Sequence, residues 1–377
     1  MAPDDDMEAR IKELDAALQD AREKWLIFGS SNSPYSLKVL EYFRFKRIKH
    51  EWVAKTNATS GEFQRHAKLP LVPLVVSPEG KAKQDSTPII EMLEERYLHP
   101  YPRAVPKDQP LRFVCQMIEE YADEWVNKYM FHYRWRRDVD QLMVSRRLAA
   151  EMLDTTAQTP PNATMENVAD MIRQRMSTRG FAVGSNDDTA PIIERYFSRL
   201  LRLLEAHLND REFLFGSRPS IADFALGAQI YQMLIDPTPS AIVEASPSVA
   251  SWCQRLLDVE EDAESEYEPW ASLQKTLQPI LDTEVKTFLT WSFANANAMM
   301  RGKKELVVEL EKGVVWKQKL GGPQKYHVKS LKALRTKFKL LGPSPSKDLE
   351  GILAHSGTLP FFLGDHITTS NASSSRL

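Results

Sequence analysis

Trp25-Leu-Ile-Phe-Gly-Ser-Ser-Asn-Ser-Pro34-Tyr-Ser36 is the stretch on which the reading of this chain turns. Its first four residues form a short apolar run suited to a buried strand, and Gly29 to Ser33 supply a polar turn. From Pro34 the period changes: Leu37, Val39, Leu40 and Phe43 fall on one face of a helix over Tyr35 to Lys46. Strand, loop and helix open a β/α unit. Working outward, Ile48 to Val53 reads as a second strand and Leu69 to Val76 as a third. A turn at Glu79-Gly80 leads to a short fourth strand near Lys81 to Gln84, and Pro88 to Leu98 closes the unit as a helix. That order predicts a small mixed sheet with helices packed on it.

From about residue 107 the strand signals stop. Leu111 to Trp135, Arg136 to Leu153, Met165 to Ser177, Pro191 to Leu208, Ser220 to Ile235 and Ser248 to Val259 are periodic helical segments, interrupted by a Pro/Thr-rich break at Thr155 to Pro161. The expected fold class is α/β followed by all-α. It comprises an amphipathic helix over 1–24, a small domain over 25–104, a helical domain over 107–284 and an extension over 285–377 whose last residues read as disordered. A length of 377 residues exceeds what one core usually organises, which agrees with this division.

Composition narrows the function. The net charge of -2 argues against a nucleic-acid-binding polyelectrolyte, and no apolar run approaches the ~20 residues of a membrane span. The acidic start Met1-Ala-Pro-Asp-Asp-Asp-Met lacks the pattern of a signal or transit peptide, and Cys115 and Cys253 have neither disulfide-scaffold density nor metal-ligand spacing. A reducing, cytoplasmic setting without a bound metal is expected. The near-neutral total conceals a dipole: Asp258 to Glu268 carries seven acids, whereas Arg301 to Leu340 carries twelve Lys/Arg against three Glu.

Three short motifs carry chemistry. In Leu71-Val72-Pro73-Leu74-Val75-Val76 a proline heads an apolar strand; a cis bond there would free the amide and carbonyl of Val72 to pair with another extended peptide, and a trans proline starting an edge strand is the alternative. In Asp85-Ser86-Thr87-Pro88, Ser86 and Thr87 suit a helix cap, with Pro88 in the first turn. The same helix start suits a ligand carboxylate, with Asp85 beside it for an amine. In the loop Ser30-Ser31-Asn32-Ser33-Pro34, Ser33 is either the N-cap of the following helix or a hydroxyl that donates to a thiolate. No base in the loop would make Ser33 itself a nucleophile.

Taken in this order, Ser33-Pro34-Tyr35-Ser36, Val72-Pro73 and Asp85-Ser86, followed by Phe213-Leu-Phe-Gly216 and Ser220-Ile-Ala-Asp223-Phe-Ala, resemble a cytosolic glutathione S-transferase over roughly residues 25 to 275. The resemblance implies a thioredoxin-like N-terminal domain and a helical C-terminal domain whose Ser220/Asp223 capping box serves folding. It also implies glutathione as co-substrate. Ser33 would hydrogen-bond its sulfur, with Ser30, Ser31 and Asn32 as rivals. Val72 beside cis-Pro73 would pair with the cysteinyl backbone, and Asp85 and Ser86 would hold the γ-glutamyl end. The stretch Phe63-Gln-Arg-His-Ala-Lys-Leu-Pro70 lacks the family's usual Asn-Pro pair, leaving His66 and Lys68 as candidates for the glycyl carboxylate. With serine in the loop position of a redox cysteine, conjugation is favoured over thiol transfer. The expected reaction is transfer of the thiolate to an apolar electrophile by a homodimer. Peroxide reduction, isomerisation or ether cleavage, and a noncatalytic scaffold recruiting a partner, are the alternatives.

Two further features are ambiguous from sequence. Trp125, Tyr129 and Tyr133 share a helical face and form either core or the wall of an electrophile pocket, while Asp123 and Glu124 suit pairing with Lys128 or Arg134. His132 reads as a surface or core residue. Lys325 to Leu341 is basic and amphipathic, with Val328, Leu331, Leu334 and Phe338 on one side. It suits an acidic partner or anionic membrane surface, or packing on the body with its cations solvated or facing the 258–268 acids.

Overall fold

The structure, a computed structural model, describes residues 24–154, 163–259, 265–342 and 347–363. The expectations for a leading helix, for the Thr155 to Pro161 break, for the centre of the acidic run and for the final tail fall outside these residues.

The N-terminal unit is a four-stranded sheet in the order β2-β1-β3-β4. Its strands are β1 (Trp25–Gly29), β2 (His50–Ala54), β3 (Leu74–Val76) and β4 (Ala82–Gln84). β1 runs parallel to β2 and antiparallel to β3, with Phe28 opposite Leu74. Alternation along the strands sends Ile27 and Val75 to one face, under α1 (Pro34–Phe45) and α3 (Ser86–Arg96). The same alternation sends Phe28, Leu74 and Val76 to the other face, against Phe63 of α2 (Ser60–His66). The third strand is shorter than expected: Pro70 and Pro73 have no N–H to give a ladder, so pairing begins only at Leu74.

The helical half contains α4 (Gln109–Tyr121), α5 (Asn127–Arg136), α6 (Asp138–Met152), α7 (Ala163–Ser177), α8 (Ala190–Leu208), α9 (Ile221–Leu234), α10 (Pro237–Glu244), α11 (Pro247–Leu257) and α12 (Trp270–Ile280). A π-helical turn over Ala122–Val126 joins α4 to α5 where the periodicity predicts one unbroken helix, and the wider turn shifts the phase of the exposed face. At the start of α9 the Asp223 carboxylate accepts from the Ser220 amide at 2.9 Å and hydroxyl at 2.6 Å, and also from Leu214 N and Trp252 Nε1 at 2.7 and 3.1 Å.

The extension folds onto both halves through α13 (Lys286–Met300), α14 (Gly322–Leu340), α15 (Lys347–His355) and a hairpin of β5 (Glu305–Glu311) and β6 (Val314–Lys319). The hairpin corrects the expectation that strands end near residue 107. Its apolar residues alternate around a turn at Lys312-Gly313, and Gly313 supplies the positive φ of 78° that the turn requires. The apolar side of α14 packs inward, with Leu331, Leu334 and Phe338 buried and Phe338 against Phe113 and Phe362. Among the described residues, no helix is long and apolar enough to cross a membrane.

Candidate active site

The Asp85-Ser86 motif becomes the open start of a helix. Ser86 and Thr87 begin α3, Pro88 has no amide to satisfy, and the first intrahelical bond runs from Ile89 N to Asp85 O at 3.0 Å. No side chain among the described residues caps the start, so the Ser86 and Thr87 amides and the positive end of the helix dipole are available to an anion. Asp85 stands at φ 84°, a conformation that costs a non-glycine residue about 1–3 kcal/mol. Its carboxylate accepts the Tyr326 hydroxyl from α14 at 2.9 and 2.8 Å, and the Lys329 ammonium lies 3.7 Å away.

Beside this helix start, the Val72–Pro73 bond is cis and the Val72 backbone makes no hydrogen bond among the described residues. The Gln84 side chain fastens the preceding loop, donating to Leu69 O and Leu71 O and accepting from Lys68 N and Leu69 N at 2.8–3.1 Å. The unpaired peptide group and the open helix start line one cavity of about 420 Å³. Its floor is Val72, Pro73, Asp85 and Ser86; its roof is Pro323, Tyr326 and His327 of α14; Glu124, Lys128 and Phe131 form its inner wall. A larger cavity, about 1010 Å³, lies among Val105, Tyr267, Trp270 and Ile352, away from both motifs. The smaller one is the candidate site because it alone of the two brings the free peptide group and the open helix start together.

Charge beneath and behind the cavity is arranged in two layers. Lys38, buried under α3, pairs with Glu119 at 2.5 Å and Asp123 at 2.7 Å and donates to Thr87 Oγ1 at 3.2 Å. Burial, only partly offset by Lys38, pushes the Asp123 carboxyl up to about 7. On the inner wall His327 Nδ1 contacts Glu124, and the imidazole stands edge-on to Trp291 with ring centres 4.8 Å apart. Lys128 Nζ lies 3.8 Å from the centre of the same indole and makes no hydrogen bond among the described residues. Burial, opposed by Glu124, brings the Lys128 ammonium down to about 7, while burial and the Lys128 charge lower His327. Tyr326 is raised by burial and by the neighbouring Asp85, so its phenol remains a donor at neutral pH.

Of the residues expected at the site, Val72, Pro73, Asp85 and Ser86 meet in this cavity. Ser33 does not line it. Its hydroxyl oxygen accepts Ser36 N at 3.3 Å as the N-cap of α1, the first of its two readings. Its rivals are engaged elsewhere. Ser30 Oγ, Ser31 N and Asn32 Nδ2 all donate to the Glu151 carboxylate of α6, at 2.5, 2.6 and 3.1 Å. Lys68 is exposed outside the cavity, and only its amide is used, toward Gln84.

The electrophile-wall reading of Trp125, Tyr129 and Tyr133 is corrected: all three are buried core. Trp125 packs against Trp291 and Trp316 of the extension, with ring centres 5.7 and 5.2 Å apart. Tyr129 and Tyr133 pack against Phe197 of α8, so the extension covers only the Trp125 end of this face. The same stretch of helix lines the cavity with Asp123, Glu124, Asn127, Lys128 and Phe131 instead. In the basic segment Lys329 and Lys337 face Asp85 and Glu91, acids of the N-terminal unit. Tyr35, Glu124, Lys128 and His327 were missed as cavity residues. For Glu124 and Lys128 the sequence signal was charge on a helix face turned away from the aromatic stripe; for His327, on α14, there was none.

Comparison with known proteins agrees with the motifs. Residues 32–96 match the family model "Glutathione S-transferase, N-terminal domain", and residues 187–255 match "Glutathione S-transferase, C-terminal domain". The isoprene-epoxide–glutathione S-transferase of a Rhodococcus species is 23% identical over 229 residues, which is 59% of this chain and 91% of that protein. Among solved structures, a glutathione S-transferase from Methylobacillus flagellatus with GSH bound is 19% identical. That similarity covers 67% of this chain and 98% of the other, with a TM-score of 0.39. A β-etherase of Sphingobium is 17% identical over 68% and 99% of the two chains, with a TM-score of 0.45.

Proposed function

The chain belongs to the glutathione S-transferase family, and from that premise we propose that it binds glutathione in the cavity between α3 and α14 and transfers its sulfur to an apolar electrophile. The observation that carries the reading is the open start of α3 beside the unpaired backbone of Val72. A γ-glutamyl head has an α-carboxylate for the Ser86 and Thr87 amides and for the Ser86 hydroxyl, which would turn to it from its 3.4 Å contact with Asp123, and an ammonium for Asp85; the cysteinyl peptide group has a donor and acceptor for Val72. The apolar parts of Leu69, Leu71, Phe131, Val183 and Pro323 leave room beside the sulfur for the second substrate. Its relatedness to an enzyme named for an epoxide and glutathione is consistent with that class of electrophile. Dimerisation and a cytoplasmic location belong to the same proposal and rest on the family alone.

Calorimetric titration with millimolar glutathione tests it. The wild-type chain is expected to bind, and Ser86→Ala to bind about tenfold more weakly, the loss of one hydrogen bond to a charged group. Absence of heat with the wild type rejects the reading.

A further inference from the structure

We propose that Glu124 and His327 form a proton shuttle, completed only by the C-terminal extension, which suits this site to electrophiles whose leaving atom is oxygen. The inference rests on the glutathione reading above and deepens it.

His327 and Glu124 both line the cavity that holds Val72, Pro73 and Ser86. His327 comes from α14 and Glu124 from the π-helical turn of the helical half, so neither region makes the pair alone. Nδ1 is buried and in ion-pair contact with the Glu124 carboxylate, close enough to share a proton though not aligned as a hydrogen bond, and Trp291 fixes the ring plane at 87° to its own. Nε2 makes no hydrogen bond among the described residues. A carboxylate on Nδ1 holds the proton there in the neutral ring, which leaves the Nε2 lone pair as the acceptor and stabilises the imidazolium once it forms. The other charged groups around the ring are Lys128 from α5 and, beyond Tyr326, Asp85. Lys128 disfavours a resting imidazolium, so the ring waits as a base. The expected alternative, Ser33, lies outside the cavity as a helix cap.

The step balances without another reactant. Nε2 takes the thiol proton, and the sulfur electron pair forms the bond to carbon. The carbon–oxygen bond breaks toward oxygen, and the imidazolium returns its proton to that oxygen. An epoxide gives a hydroxy thioether, and an aryl ether gives a phenol. A halide leaves as an anion and uses only the first half of the shuttle.

The contrast defines the experiment: the full chain and His327→Gln are assayed with glutathione plus styrene oxide, and with glutathione plus chlorodinitrobenzene, across pH. With the chloride, the variant is expected to lose about tenfold near neutrality and to recover above about pH 9, where the free thiol ionises by itself. With the epoxide, it is expected to lose about a hundredfold and not recover. Equal losses for both substrates at every pH assign His327 a structural role and overturn the proposal, as does no loss. A measurement on the wild type guards against a misfolded variant: kcat in heavy water should fall more for the epoxide, which uses both halves of the shuttle, than for the chloride, and an unchanged epoxide rate overturns the shuttle. If the wild type fails to bind glutathione in the calorimeter, the parent reading falls and this one with it. Binding with uniform losses removes the shuttle alone.

Discussion

The N-terminal unit begins two of its helices with a serine and a proline, and the two starts have opposite fates. At the start of α1 the serine loop is tied down by side chains of the helical half. Glu151 takes the loop's donors, Arg134 donates to Asn32 O at 2.9 Å, Arg147 to Asn32 Oδ1 at 2.5 Å, and Gln232 to Ser31 O at 2.9 Å. At the start of α3 no group among the described residues takes the first amides, and the neighbouring carboxylate points toward the cavity and meets the α14 roof. Both starts carry the same dipole. The difference teaches that a helix start is a ligand site only when the rest of the fold leaves it unfilled, so a closed start should contribute to stability and an open one to binding.

The closed start of α9 offers the strongest way to break that division. Asp223→Ala leaves the buried amide of Ser220, the Leu214 amide and the Trp252 indole without an acceptor. A stability loss of more than about 3 kcal/mol is expected in denaturant titration. A loss below about 1 kcal/mol would mean that the closed start is not what holds this region.

A second test uses pH. His207, buried in α8, has Nε2 2.8 Å from Leu214 O, so it braces the same turn that Asp223 holds from the other side. Burial, outweighing the Leu214 bond, lowers its pKa from 6.5 to about 4. Between these values the unfolded chain binds a proton that the folded chain refuses. The contribution is therefore intact above about pH 6.5 and is lost as pH falls toward 4, by up to about 3 kcal/mol. His207→Gln should flatten the acid limb of the stability curve; identical slopes in both proteins would remove this histidine from the account.

The smallest expected effect sharpens the comparison most directly. Ser33→Ala removes the α1 cap and should lower stability by about 1 kcal/mol while leaving glutathione affinity unchanged, the reverse of Ser86→Ala. A Ser33→Ala protein that is as stable as wild type but binds glutathione poorly would turn the division around.

Much of this was legible because local signals agree with the tertiary fold. The change of period at Pro34, the turn at Glu79-Gly80 and the Ser220/Asp223 pair each involve residues close in sequence, and each forms the element it predicts. Val72 and Ser86 were readable for the same reason: a proline without a donor and a helix start with unpaired amides are properties of short segments. The aromatic stripe was not. Whether Trp125 faces ligand or core depends on Trp291 and Trp316, far along the chain, and on a π-helical turn that periodicity does not register.

The sequence by itself determined the β/α unit, the helical half and the two motifs that face the cavity, since hydrophobic period, proline and capping chemistry act over a few residues. Tertiary structure alone decided which helix start stays open, which face of the α5 helix meets the cavity, and that α14 brings Tyr326 to Asp85 and His327 to Glu124. Those outcomes depend on burial and charge pairing between segments about two hundred residues apart, where no local propensity reaches.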